Sequence, residues 1–173
     1  MRITKRLLRQ IIREEIGSSL DSIRFVPHTK YPNDKLVATV EVFDGDESIG
    51  WAIAESLYVK NLADQCRMAY EKLGPGKLFK VSSVSINSSY RGKGIGFELY
   101  KQVMKQARKN VGQPVVFVAD ICDARGGHGT SGRAEAVWKR FLDDPDPEFE
   151  SAWGDIHYRG RFTRTEGVAV RLA

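Results

Sequence analysis

Apolar positions along this chain follow two periods. Ile3, Leu7, Leu8, Ile11, Ile12 and Ile16 recur at helical spacing, Arg2, Lys5, Arg6, Arg9 and Arg13 occupy the other face, and Gly17 follows as a stop. This predicts a basic amphipathic helix over 1–17, packed on the domain or docking a partner, ahead of a single domain over 18–173. A period of two then takes over. Ser22 to Pro27 reads as a first strand. Leu36 to Phe43 sets Leu36, Ala38, Val40 and Val42 against Val37, Thr39, Glu41 and Phe43. Asp44-Gly45-Asp46 is a hairpin signal. The return strand, Ile49 to Leu57, sets Ile49, Trp51 and Ile53 against Gly50, Ala52 and Ala54. Asn61 then predicts the cap of a helix through Leu73, with Asp64 three residues on, and Gly74-Pro75-Gly76 ends it.

The next strand, Leu78 to Asn87, breaks its own alternation. Phe79 and Val81 are apolar on one parity, Val84 and Ile86 on the other, as one extra residue in a β-bulge would produce. A short polar turn leads to Arg91-Gly92-Lys93-Gly94-Ile95-Gly96. A helix over Ile95 to Asn110 follows, with Ile95, Leu99, Val103 and Ala107 on its buried stripe. Lys101, Lys105, Arg108 and Lys109 read as its solvated face and as partners of the last-turn dipole. Val115 to Ala119 is a continuous apolar run, the mark of a strand buried on both faces. Strand, helix and strand form one right-handed βαβ unit with a parallel pair. Ile121 to Thr130 reads as a Gly-rich loop, and Ser131 to Leu142 as a helix with Ala134, Val137, Trp138, Phe141 and Leu142 on one face. An acidic, proline-broken loop follows from Asp143. Strand-like pieces lie at Asp155 to Arg161 and Gly167 to Leu172.

Composition narrows this picture without redirecting it. A chain of 173 residues suits one domain with a real core. No apolar run reaches membrane-spanning length, and the basic start lacks the apolar centre of a signal peptide. Cys66 and Cys122, at no paired spacing, predict a reducing, cytoplasmic setting and no disulfide framework. His28, His128 and His157 form no metal-ligand pattern, so no metal is expected. The net charge of +5 is too modest to argue for nucleic acid by itself.

The glycine loop carries the chemistry. Glycines at alternate positions let the backbone approach a ligand, and a helix start aims its unpaired N–H groups at the same point. With Arg91 and Lys93 beside it, this is an anion site. The dipole supplies only about 0.3–1 kcal/mol, so N–H contacts and the two cations must do the holding. The spacing excludes two common nucleotide loops. Gly92-Lys93 is followed by Gly94 rather than Ser or Thr, and a dinucleotide fingerprint would need glycine at Phe97 or Leu99.

What remains, Arg-x-x-Gly-x-Gly after a strand and opening a helix, with Leu99 beyond, resembles the pyrophosphate loop of the GNAT superfamily of N-acetyltransferases. The resemblance implies an α/β (α+β) fold with helices on both faces. Its mixed, mostly antiparallel twisted sheet would hold a central parallel strand pair splayed around acyl-CoA. It implies acetyl-CoA as co-substrate, with Val84 and Ile86 beside the pantetheine arm and Arg91, Gly92, Lys93, Gly94, Ile95 and Gly96 at the pyrophosphate. The family's next helix often reads Asn-x-x-Ala-x-x-Leu-Tyr. Ser131, Ala134, Val137 and Trp138 stand there, which puts Ser131 on the cofactor side and a non-ionising indole where a tyrosine acid is usual. Helices in that superfamily lie between the first two strands. The predicted helix at 61–73 is therefore read as an insertion near the acceptor side, or the strand count is off by one.

The reaction implied is direct attack of an amine on the thioester, which needs a base. Asp120, at the carboxyl end of a buried strand, and His128, with the most suitable pKa, are the catalytic candidates, with Glu41 and Glu55 behind them. The acceptor class stays open: small molecule, protein or aminoacyl-tRNA, with the acidic 143–150 loop as a lure for a cationic one. A homodimer and a partner for the basic helix are further expectations, and that helix also resembles amino-terminal segments of some bacteriophage-encoded proteins. Two alternatives stand beside the enzyme: a non-catalytic CoA-binding module, and a nucleic-acid-associated protein using the basic helix.

Overall fold

The computed structural model of the chain describes residues 22–30, 37–119, 122, 131–143, 146–153, 157–158, 161–162 and 168–172. The predicted amino-terminal helix lies outside them. Strand β1 (Ile23–Lys30), β2 (Val37–Asp44) and β3 (Glu47–Ser56) form an antiparallel meander. Helix α1 (Asp64–Leu73) leads to β4 (Lys77–Ile86), and α2 (Ile95–Val111) to β5 (Val115–Ala119). Then come α3 (Gly132–Asp143), β6 (Phe149–Trp153), the two-residue pair β7 (His157–Tyr158) and β8 (Arg161–Phe162), and β9 (Val168–Leu172). The main sheet runs β1-β2-β3-β4-β5-β9-β6, with β4 and β5 parallel and every other pair antiparallel.

Helices cover both faces of the sheet, which explains the unbroken apolar run of β5. Val115, Phe117 and Ala119 join the core under α2 and α3, while Val116 and Val118 join the cluster under α1. On α2 the buried stripe is Ile95, Leu99, Tyr100, Val103, Met104 and Ala107. Each large side chain there is worth roughly 1.5–3 kcal/mol of burial. The predicted bulge in β4 is present: Ile53 faces Ser83 and Ala54 faces Val81, leaving Ser82 as the extra residue. Phe79 and Val81 before it, and Val84 and Ile86 after it, therefore pack against one core.

Several expectations are corrected. Val42 faces Gly50 and Phe43 faces Ser48, so Ile49 is a second extra residue, in β3. It turns Ile49 into the core with Ala52 and Ala54 and leaves Trp51 and Ile53 half-buried on the opposite face. Asn61 ends a 3-10 turn instead of capping α1, which starts at Asp64 with Ala63 as its cap residue. Leu62 is buried and the Ala63 N–H donates to the Cys122 carbonyl at 2.8 Å, so the chain stays extended between the two helices. Cys66 and Cys122 are joined in a disulfide. Docking of α1 over the end of β5 brings together cysteines 56 residues apart, and the cysteines no longer argue for a reducing compartment. Lys101 is not solvated. It is 15% exposed and held by Asp146 at 2.8 Å and Glu98 at 3.4 Å. Glu148 likewise pairs with Lys105, so the described acidic residues between α3 and β6 are engaged by α2 and not held free for a ligand. Phe149–Trp153, read as loop and unassigned chain, is strand β6. The strand count was short, and the helix of the amino-terminal half does fall between β3 and β4.

Candidate active site

Among the described residues the β4–β5 ladder runs from Lys77 opposite Val115 to Val81 opposite Ala119, and the bulge at Ser82 follows at once. From Ser82 to Ile86 the strand is paired to β3 alone among the described strands. Ser82 Oγ shares its one O–H between the Ile53 carbonyl at 3.4 Å and Glu55 Oε1 at 3.3 Å, which ties the bulge to β3.

The turn beyond is tied to the β2–β3 hairpin. The Asn87 N–H donates to the Ile49 carbonyl at 2.8 Å, and the Asn87 side chain accepts from Ser89 Oγ at 3.3 Å. The Tyr90 hydroxyl donates to Asp44 Oδ2 at 2.8 Å, while Asp44 Oδ1 accepts from Ser22 Oγ at 2.5 Å. These hydrogen bonds, from Ser22 first and Tyr90 second, hold the Asp44 carboxyl below its ordinary pKa. The bond to Asp44 raises the Tyr90 phenol. Lys93 Nζ lies 5.1 Å from the Tyr90 ring centre, and Arg91 Nε donates to the Ile86 carbonyl at 2.9 Å. Both cations are thereby posted beside the start of α2.

Gly94 caps α2 at φ 82°, a left-handed conformation that costs a residue with a Cβ about 1–2 kcal/mol. Phe97 and Glu98 donate to the Gly94 carbonyl, so the N–H groups of Ile95 and Gly96 precede the first intrahelical bond. Next to them opens a cleft of about 220 Å³. Its walls are Val84, Ser85 and Ile86 of β4, Arg91 and Gly96 of the loop, Tyr100 of α2, and Ser131, Arg133, Ala134 and Val137 at the start of α3. Ser131 Oγ accepts from the Ala134 N–H at 3.3 Å, so it caps α3 as it lines the cleft.

Of the residues expected at a cofactor, Val84, Ile86, Arg91, Gly96 and Ser131 converge here. Gly92, Lys93 and Gly94 form the exposed rim. The Ile95 side chain begins the buried stripe, as its spacing predicts, and is 2% exposed in the core. Asp120 and His128 lie outside the described residues. Glu41 sits 3.5 Å from His28, and Glu55 sits at the bulge. Trp138 is a core residue, 1% exposed. Tyr100, Ser85 and Arg133 were not singled out beforehand. The one available signal was the four-residue step from Gly96 to Tyr100, which puts both on one helix face. Burial pushes the Tyr100 phenol up to about 12.

Among the described residues no group of His, Cys, Asp and Glu could hold a metal, and no helix is long and apolar enough to cross a membrane. A splayed parallel pair, a glycine-rich helix start and a cleft between them define an acyl-CoA transferase architecture. Residues 6–124 match the model of the acetyltransferase (GNAT) family, and the chain belongs to that family. It is an acyl-CoA-dependent N-acetyltransferase. Similar solved structures include a GNAT family acetyltransferase from Elizabethkingia anophelis with acetyl-CoA bound, at 16% identity over 88% of this chain and 97% of that one, TM-score 0.40. IAA acetyltransferase from Bacillus cereus ATCC 14579 is 13% identical over 87% of this chain and 97% of that one, TM-score 0.42. AAC(6')-Iy in complex with the bisubstrate analogue CoA-S-monomethyl-acetylneamine is 17% identical over 72% and 69%, TM-score 0.41. No curated protein matches the chain.

Proposed function

We propose that the cleft takes acetyl-CoA and presents its thioester to an amine at the splay between β4 and β5. The observation that carries this is the cleft along the β4 edge that no described strand pairs beyond Val81, which runs from the bulge at Ser82 to a helix start flanked by cations. An open edge offers N–H and C=O groups to a ligand's amides in the way a neighbouring strand would. The N–H groups of Ile95 and Gly96, with Arg91 and Lys93, suit a pyrophosphate, and Arg133 adds a cation at the mouth of α3. Backbone N–H groups at the splay would polarise the thioester carbonyl.

The acceptor is an amine that attacks directly. Nitrogen bonds to the carbonyl carbon, the C–S bond breaks, and amide and CoA thiol leave. A lysine-like amine costs roughly 4–5 kcal/mol to neutralise at pH 7, so a base must assist. Asp120, next after the last residue of β5, is proposed for it, with His128 as the second choice. The setting proposed is the cytoplasm, where acyl-CoA is at hand. The test is a melting curve with acetyl-CoA and with free CoA, followed by assay of CoA-thiol release over a panel of small amines, peptides and aminoacyl-tRNA. Stabilisation by both ligands and thiol release with one acceptor class is expected; no stabilisation by either refutes the cleft assignment.

A further inference from the structure

The glycine loop is anchored to a carboxylate, a group of the same sign as the ligand proposed for it. Arg24 donates to the Gly45 carbonyl at 2.6 Å and lies 3.7 Å from Asp46, which ties the β2–β3 hairpin to β1. Asp44, at the end of β2, is held within that tie. Its Oδ1 accepts from Ser22 Oγ at 2.5 Å and its Oδ2 from the Tyr90 hydroxyl at 2.8 Å. Lys93 rests 5.1 Å from the Tyr90 ring centre. It is in no ion pair among the described residues, although the Asp44 charge reaches it. An ammonium and a carboxylate this close on an exposed rim would ordinarily pair. Here each carboxylate oxygen already holds a hydroxyl, and the ring gives the ammonium another seat. The difference matters to an anion. A Lys93–Asp44 pair would present no net charge, whereas Lys93 on the ring keeps its charge and its donors for a phosphate.

We infer that Ser22 and Tyr90 keep Lys93 available to the acyl-CoA pyrophosphate by occupying the two oxygens of Asp44, an inference that rests on the acyl-CoA reading of the cleft. Tyr90 and Ser22 are thus positioning residues that act through Lys93. Removing the phenol hydroxyl frees one oxygen and leaves the Asp44 charge in place. Lys93 then divides between that carboxylate and the ring, which a phenylalanine still supplies. An exposed ion pair is worth a factor of up to about five, so the loss of ligand affinity is of that size and no larger.

The probe is free CoA, titrated by calorimetry at neutral pH and low salt, so no acceptor is needed. Tyr90→Phe should bind CoA about twofold to fivefold more weakly than the wild type. Ser22→Ala, which frees the other oxygen from outside the loop, should weaken binding in the same sense and carries the test if Tyr90→Phe does not fold. Adding Asp44→Asn to either variant should restore wild-type affinity, because a neutral amide does not draw the ammonium off the ring. In a Lys93→Met chain none of these changes should alter Kd further. A tie that merely held the loop in shape would leave the Asp44→Asn double variants as weak as the single ones or weaker, and would keep the loss in the Lys93→Met chain; either result overturns the inference. So does an unchanged Kd in both Tyr90→Phe and Ser22→Ala. Tighter binding on Asp44→Asn in the Lys93→Met chain overturns it as well, since Asp44 would then act on the ligand by direct repulsion. A wild-type chain that binds no CoA removes the acyl-CoA reading itself, a result distinct from binding that ignores Tyr90 and Ser22.

Discussion

Two neighbouring glycines separate what the loop does for the fold from what it does for a ligand. Gly94 has a left-handed φ of 82° and open space where a Cβ would go. Gly94→Ala should therefore cost about 1–2 kcal/mol of backbone strain, or a fall of roughly 2–8 °C in Tm. Gly96 lies inside α2, where alanine is favoured over glycine by up to about 1 kcal/mol. A Cβ there meets only the Ile86 Cδ1 methyl at 3.3 Å, a flexible end that can give way. Gly96→Ala should fold as well as the wild type. Yet Gly96 lines the cleft and Gly94 does not, so the new methyl stands over the N–H groups that would hold the anion. At acetyl-CoA concentrations of 100 Kd the wild type gains about 2.7 kcal/mol, roughly 5–11 °C. If the methyl weakens binding a hundredfold, about 0.4 kcal/mol remains, close to 1 °C. Melting curves of the three proteins with and without acetyl-CoA should cross over: Gly94→Ala starts lower and still responds, Gly96→Ala starts level and does not. A Gly96→Ala protein that responds like the wild type would refute the placement of the anion at the start of α2.

The Cys66–Cys122 bridge closes a loop spanning 56 positions, for which the chain-entropy model gives about 4 kcal/mol. Reductant should lower Tm accordingly, and alkylation before and after reduction should change the intact mass by two thiols; free thiols in the native protein would disprove the bridge. The Asp44–Tyr90 bond makes a pH prediction. Asp44 is lowered, so its contribution is present above the ordinary carboxylate pKa and is lost as pH falls through the lowered value; Tyr90 is raised, so its contribution holds below the ordinary phenol pKa and is lost as pH rises through the raised value. Tyr90→Phe should therefore flatten the dependence of Tm on pH at both extremes, and an unchanged profile would show that the tie does not act. Lys101→Met should cost about 1.5–3 kcal/mol in urea melts, because Asp146 loses a charged partner at 2.8 Å; a change under half that range would mean the pair is dispensable.

Much of the site was legible in the chain itself because its signals are local. The apolar parity switch between Val81 and Val84 is a property of consecutive residues, and it located the bulge at Ser82. The glycine spacing and the amphipathic stripe from Ile95 marked the loop and α2 for the same reason. The bulge at Ile49 left no such trace, since both parities of β3 carry apolar or small residues and only pairing with β2 reveals the extra one. Strand β6 was hidden because Phe149-Glu-Ser-Ala-Trp153 has little alternation and takes its order from β9. The cysteine pair was misread because 56 residues separate its members and only the docking of α1 brings them together.

The sequence by itself determined most of the elements, the glycine turn that opens α2 and the break in β4, all set by backbone preference and side-chain period over a few residues. Tertiary structure alone decided that β4 and β5 would pair in parallel up to the bulge, that the start of α3 would form a cleft with β4 and α2, and that Tyr100 would line that cleft against Trp138. Those outcomes depend on packing between segments far apart in the chain. No local pattern encodes which face of a helix meets a cavity and which meets a core.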